Sequence, residues 1–166
     1  MATKLWVLLT VCCAIDQAAL DQTRAIVSGI YREAGVELQW GEDVAALPNR
    51  TLTIVLTTRK HAPEGVRIDA TGVAPTPGDG TRGTVAYVFV DAVKDFAGGH
   101  RVPIAYVLGG AIAHEIGHLL LPPNAHRSDG IMRASWHPAD FPPISPGVLG
   151  FPADQAQLLR IRTQSR

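Results

Sequence analysis

The sequence predicts an α+β fold, and three features carry that expectation. Tyr106 to Leu121 is a charge-poor apolar run of helix length. Thr51 to Thr58 and Gly83 to Asp91 are rich in β-formers. Gln17 to Ala34 repeats its apolar residues at helical spacing. At 166 residues and 46% hydrophobic content, the chain has the size of one domain able to bury a core.

The first element has two readings. From Leu5 to Ile15 only Thr10 is polar. As a strand, Leu5 to Cys13 is buried between layers. As a short signal peptide, it has Lys4 as its charged start and Cys12-x-Ala14 as its cleavage site, which would mean export rather than a cytoplasmic location. The strand is preferred, because cleavage after Ala14 would remove the domain's first strand. The run is too short to span a membrane as a helix. Cys12 and Cys13, the only cysteines, are adjacent and cannot bridge without strain, and we expect them to be buried small hydrophobes.

Asp16 is a suitable cap for the helix Gln17 to Ala34, whose Leu20, Ile26, Val27, Ile30 and Tyr31 form the apolar stripe and whose stop is Gly35. Val36 to Trp40 alternates as a short strand, and Thr51 to Thr58 is a β-branched one. Residues 61–82, rich in Gly, Pro, Asp and Thr, leave room for one irregular edge strand near Val66 to Val73. The strand Gly83 to Asp91 follows, then a short turn or helix near Ala92 to Ala97, then the apolar helix. Pro138, Pro142, Pro143, Pro146 and Pro152 make the rest loop-rich, with a last helix from Ala153 to Arg162 behind Pro152.

The apolar helix carries His114-Glu115-Ile116-Gly117-His118. Residues four apart share a helix face, so both imidazoles can reach one metal ion, and Glu115 stands where it can hold a metal-bound water. Glu115 is the only acid in this segment, and a carboxylate in an apolar helix is costly unless paired or near a metal. A catalytic zinc usually takes three protein ligands. No Glu follows Glu115, which leaves His126, Asp129 and the more distant Asp140. His126, eight residues past His118, is the preferred third ligand. Pro122 ends the helix, and the intervening turn is long enough to bring an imidazole back. His137 lies in a Trp136-His137-Pro138 setting that looks like packing or a turn.

The run H-E-I-G-H-L-L-L, a turn, His126 and then Gly130-Ile131-Met132 resembles the metzincin clan of zinc peptidases, most of all its small matrixin-like bacterial members. The resemblance is strong from Val107 to Trp136. It implies a twisted mixed sheet packed on two main helices, the second carrying the motif. It also implies a zinc-peptidase-like domain with an upper part, 1–121, and a small C-terminal part, 122–166. Met132 would lie on a tight turn beneath the site, where a soft, unbranched side chain floors a metal without competing as a hard ligand. The chain departs from the clan's H-E-x-x-H-x-x-G-x-x-H pattern at Leu121 and Asn124, and His126 implies an excursion two residues longer.

The resulting expectation is a zinc-dependent peptidase with one catalytic Zn²⁺ on His114, His118 and His126. Glu115 is the general base for a metal-activated water, and the substrate is a peptide or protein. By the resemblance, an extended substrate pairs with an edge strand above the cleft. Ser135 to Phe151 would wall the pocket beyond the cut bond, although Trp136, Phe141, Ile144 and Leu149 each read more simply as lower-core residues. Arg127 and Arg133 lie close in sequence, with nothing to fix their direction, and no Tyr follows Tyr106. The competing reading is an inactive metzincin-like protein that binds zinc or a partner. An RNA-processing hydrolase is disfavoured by Glu115 and by the balance of 15 basic and 15 acidic residues, which gives no reason to expect nucleic acid or anionic lipid as partner.

Overall fold

Strand β1 (Thr3–Val11) is hydrogen-bonded on both sides, to β2 (Val36–Gly41) and to β3 (Leu52–Thr57), and both pairings are parallel. The computed structural model describes residues 3–41, 47–79, 81–141 and 149–165. Among them the sheet runs β2-β1-β3-β5-β4. Strand β5 (Val85–Phe89) joins β3 in parallel, and β4 (Gly72–Val73) closes the edge antiparallel to β5. The result is a mixed sheet.

Alternation along the strands sets the core. Leu5, Val7 and Leu9 of β1 and Leu52, Ile54 and Leu56 of β3 are buried, while the residues between them are only half-buried. The first strand therefore buries one face rather than lying sealed between layers. Helix α1 (Gln17–Glu33) packs against β2 and against α3 (Ile104–Leu120), which in turn covers β5. The two helices come close because Gly109 has no side chain: a Cβ there would stand 2.8 Å from Ile26 Cγ2. Tyr31, fully buried on α1, donates its hydroxyl to Ala113 O at 2.9 Å and so ties α1 to the turn that carries the motif.

Local signals account for the helix ends. Asp16 accepts from Ala19 N at 3.0 Å, and Gly35 follows α1 at φ 82°. Leu121 is extended ahead of Pro122, and there α3 stops. Helix α2 (Val90–His100) is longer than the expected turn and starts two residues early, taking Val90 and Asp91 from the expected strand, and β5 is Val85–Phe89 instead of Gly83–Asp91. Gly98 and Gly99 lower its propensity, but Val93 and Ala97 bury one face and Arg101 ends it in the left-handed region. Helix α4 (Ala153–Gln164) follows Pro152 as expected, two residues longer than Ala153 to Arg162, and brings the described residues to four α-helices.

One side-chain expectation fails. Cys12 is exposed and Cys13 half-buried, because the chain leaves the sheet at Val11; both are free thiols. Pro142, Pro143, Ile144 and Pro146 lie outside the described residues. No helix of the described residues is long and apolar enough to cross a membrane.

Candidate metal centre

Helix α3 places His114 and His118 one turn apart on one face, with ring centroids 4.6 Å apart. Beyond Leu121 the chain turns through Asn124 at φ 62°, and Gln155 of α4 donates to Ala125 O at 2.8 Å, holding the residue next to His126. His126 thereby comes back over α3. The Nε2 atoms of His118 and His114 are 2.9 Å apart, those of His118 and His126 3.1 Å, and those of His126 and His114 3.3 Å.

The tautomer of His114 follows from its surroundings. His114 Nδ1 lies 2.8 Å from Ile131 O, which can only accept, so the proton is on Nδ1 and Nε2 presents a lone pair. Ile131 is itself held, its N–H donating to Gly150 O at 2.8 Å. The Arg127 N–H donates to Met132 O at 2.9 Å across the turn at Gly130, whose φ is 69°. Met132 is fully buried beneath the motif helix. A Cβ on Gly117 would come 2.5 Å from its Sδ, so the glycine inside the motif is what lets Met132 seat against α3.

Glu115 is 5% exposed, and burial pushes its carboxyl up to about 8. Its Oε2 finds no hydrogen-bond partner among the described residues. Edge strand β4 passes so close that a Cβ on Gly72 would stand 2.8 Å from Glu115 Cγ and Oε1. His118 is driven down to about 4 by burial first, then by His114 and His126. Burial and His126 lower His114, partly opposed by its bond to Ile131. Tyr31 is raised well above its ordinary range, by burial first and then by Glu115.

The donor set fits a zinc ion. A tetrahedral zinc with bonds of about 2.05 Å holds its nitrogen ligands about 3.3 Å apart, close to the triangle present here. His114 uses its single N–H on Ile131, so its Nε2 lone pair faces the Nε2 atoms of His118 and His126. Glu115, whose Oε2 is unpartnered among the described residues, lines the same cleft as the three imidazoles.

The centre opens into a cleft of about 590 Å³. Segment 67–74, including β4, forms one wall and 133–136 another, with Phe96 and Val107 also lining it. Trp136 lies edge-on to His114, with centroids 5.6 Å apart, and lines the cleft. Phe141 and Leu149 are buried in the core instead. Asp129 is exposed and pairs with Arg127 at 3.3 Å, away from the imidazoles. Asp140 serves Arg133 and the His137 N–H, each at 2.7 Å, so His137 stands at the start of a 3-10 turn, Pro138–Asp140. Sequence reasoning missed Arg67, Gly72 and Phe96 as cleft residues. For Gly72 alone a signal existed, since an isolated glycine in a β-rich stretch often marks a close backbone approach.

No protein-family model and no curated protein matches this chain. Among solved structures it is similar to the crystal structure of archaemetzincin from Methanopyrus kandleri, with a TM-score of 0.64 and 15% identity. The likeness covers 99% of this chain and 97% of that one. It extends over the whole α+β arrangement of mixed sheet and four helices, and at this identity it concerns the fold.

Proposed function

We propose that the chain is a zinc-dependent peptidase. The observation that carries this reading is the convergence of three imidazole Nε2 atoms within 3.3 Å of one another, beside a buried carboxylate and at the floor of an open cleft. The fold it shares with a protein called archaemetzincin, a name that carries the clan its motif resembles, supports the same reading.

His114, His118 and His126 would hold the ion. Bound there, zinc supplies a Lewis acid and makes water acidic enough to lose a proton near neutral pH. Glu115 takes the proton from the attacking water and delivers it to the leaving amine, so one carboxyl group serves both halves of the cleavage. Burial raises the proton affinity of this carboxyl group and so strengthens it as the acceptor. Gly72 leaves room for that carboxyl group beneath β4. Strand β4 is the sheet's edge and lines the cleft, so an extended peptide can add to it by backbone pairing and pass over the three histidines. Trp136, Phe96 and Val107 give the cleft apolar walls that exclude water.

A purely zinc-binding or partner-binding protein would have no use for a buried, unpartnered carboxylate at the metal, which disfavours the inactive reading. The test is zinc content and peptide hydrolysis of wild type and Glu115→Ala. The variant is expected to keep its zinc and lose at least about a hundredfold in rate. Full hydrolysis by zinc-loaded Glu115→Ala would remove Glu115 from the chemistry.

A further inference from the structure

Arg133 follows Met132, lines the cleft with His114 and Trp136, and has no part in the chemistry above. Its Nη1 donates to Asp140 Oδ1 at 2.7 Å, while Asp140 Oδ2 accepts from the His137 N–H at 2.7 Å. Asp140 is buried and fixed through both oxygens, so it acts as a strut behind the guanidinium. An arginine presents five N–H donors in a planar fork. Among the described residues, Arg133 engages one of them, and a quarter of its side chain stays exposed. Arg67, also a cleft residue, differs: both arms of its fork close on Asp69, at 3.1 and 2.7 Å.

We propose that Arg133 reads a carboxylate on the bound peptide, so that the cleft selects substrates carrying an anionic group beside the bond to be cut. The group is a free C-terminal carboxylate or an Asp or Glu side chain. This inference rests on the peptidase reading above. A guanidinium already held by Asp140 loses little rotamer freedom when it binds a second carboxylate, and the pairing is charge-assisted and geometrically specific. A Lys or Arg at the same substrate position would meet like charge and be rejected.

The test is calorimetric binding of peptides to zinc-loaded Glu115→Gln protein, which is expected to hold peptides without cutting them. One pair of peptides differs in C-terminal acid against amide, and a second pair in internal Glu against Gln scanned along the peptide. At least one carboxylate peptide should bind about tenfold more tightly than its neutral partner, and the pair that shows it identifies which carboxylate is read. Adding Arg133→Gln should abolish the preference. Adding Arg133→Lys, which keeps the charge and the strut but loses the fork, should reduce the preference by at least about threefold, and it serves where Arg133→Gln fails to fold. Peptides that bind with no preference for a carboxylate, or a preference that survives Arg133→Gln, would overturn the proposal alone. Failure of every peptide to bind would overturn the peptidase reading and this inference with it.

Discussion

Gly117 sits inside α3, where alanine would be the better helix former by about 1 kcal/mol. Packing reverses that preference, because a Cβ would meet the sulfur of a fully buried Met132. Gly117→Ala should therefore destabilise the protein by about 1–3 kcal/mol in denaturant unfolding, through overpacking. A gain in stability would mean that Met132 can move aside. Glu115 gives a second prediction at this scale. In the metal-free protein its carboxyl is raised to about 8, above its unfolded value near 4.5. The stability linked to its neutral form is fully present below the unfolded value and is lost as pH rises through about 8. His118, lowered to about 4, acts in the opposite direction: stability falls as pH drops from about 6.5 toward 4, where only the unfolded chain takes up that proton. Metal-free wild type should thus lose more melting temperature between about pH 6 and about pH 9 than metal-free Glu115→Gln does. Equal slopes would contradict the buried, neutral carboxyl.

The elements around the centre divide into those with local causes and those without. The motif helix, its stop at Pro122 and the cap at Asp16 were legible in the sequence, because apolar spacing, proline and a capping carboxylate act within a few residues. The edge strand expected near Val66 to Val73 is realised only as Gly72–Val73, because that is where the chain pairs with β5, so its exact extent was not legible from nearby residues. Of helix α2 the sequence showed a turn or helix near Ala92 to Ala97, while Gly98 and Gly99 hid its last turn; burial of Val93 and Ala97 holds it. The loop bearing His126 reads as plain loop in sequence, yet α4 and the residues before it pin it: Gln155 holds Ala125 O, Asp154 pairs with Arg127 at 2.6 Å, and Gly150 O takes the Ile131 N–H. Gln155→Ala should accordingly weaken zinc retention by about tenfold to a hundredfold, the size expected when a group that orients a ligand is lost. Competition with a chelator measures it, and wild-type retention would show that the loop holds itself.

At the scale of the whole molecule, α3 lies between the sheet and the C-terminal segment. Its motif face meets β4, the His126 loop and the turn at Met132 together. This convergence is why residues distant in sequence share one cleft, and why the cleft's charged walls at Arg67 and Arg133 could not be read from spacing alone. The likeness to archaemetzincin at 15% identity over nearly the whole chain is a likeness of fold, which depends on patterning more than on particular residues. The most direct measurement is zinc content per chain, by elemental analysis, for wild type and His126→Ala side by side. One zinc in the wild type and sharply reduced retention in the variant is the expected result. One zinc retained equally in both would remove His126 from the centre, and none in the wild type would contradict the metal site itself.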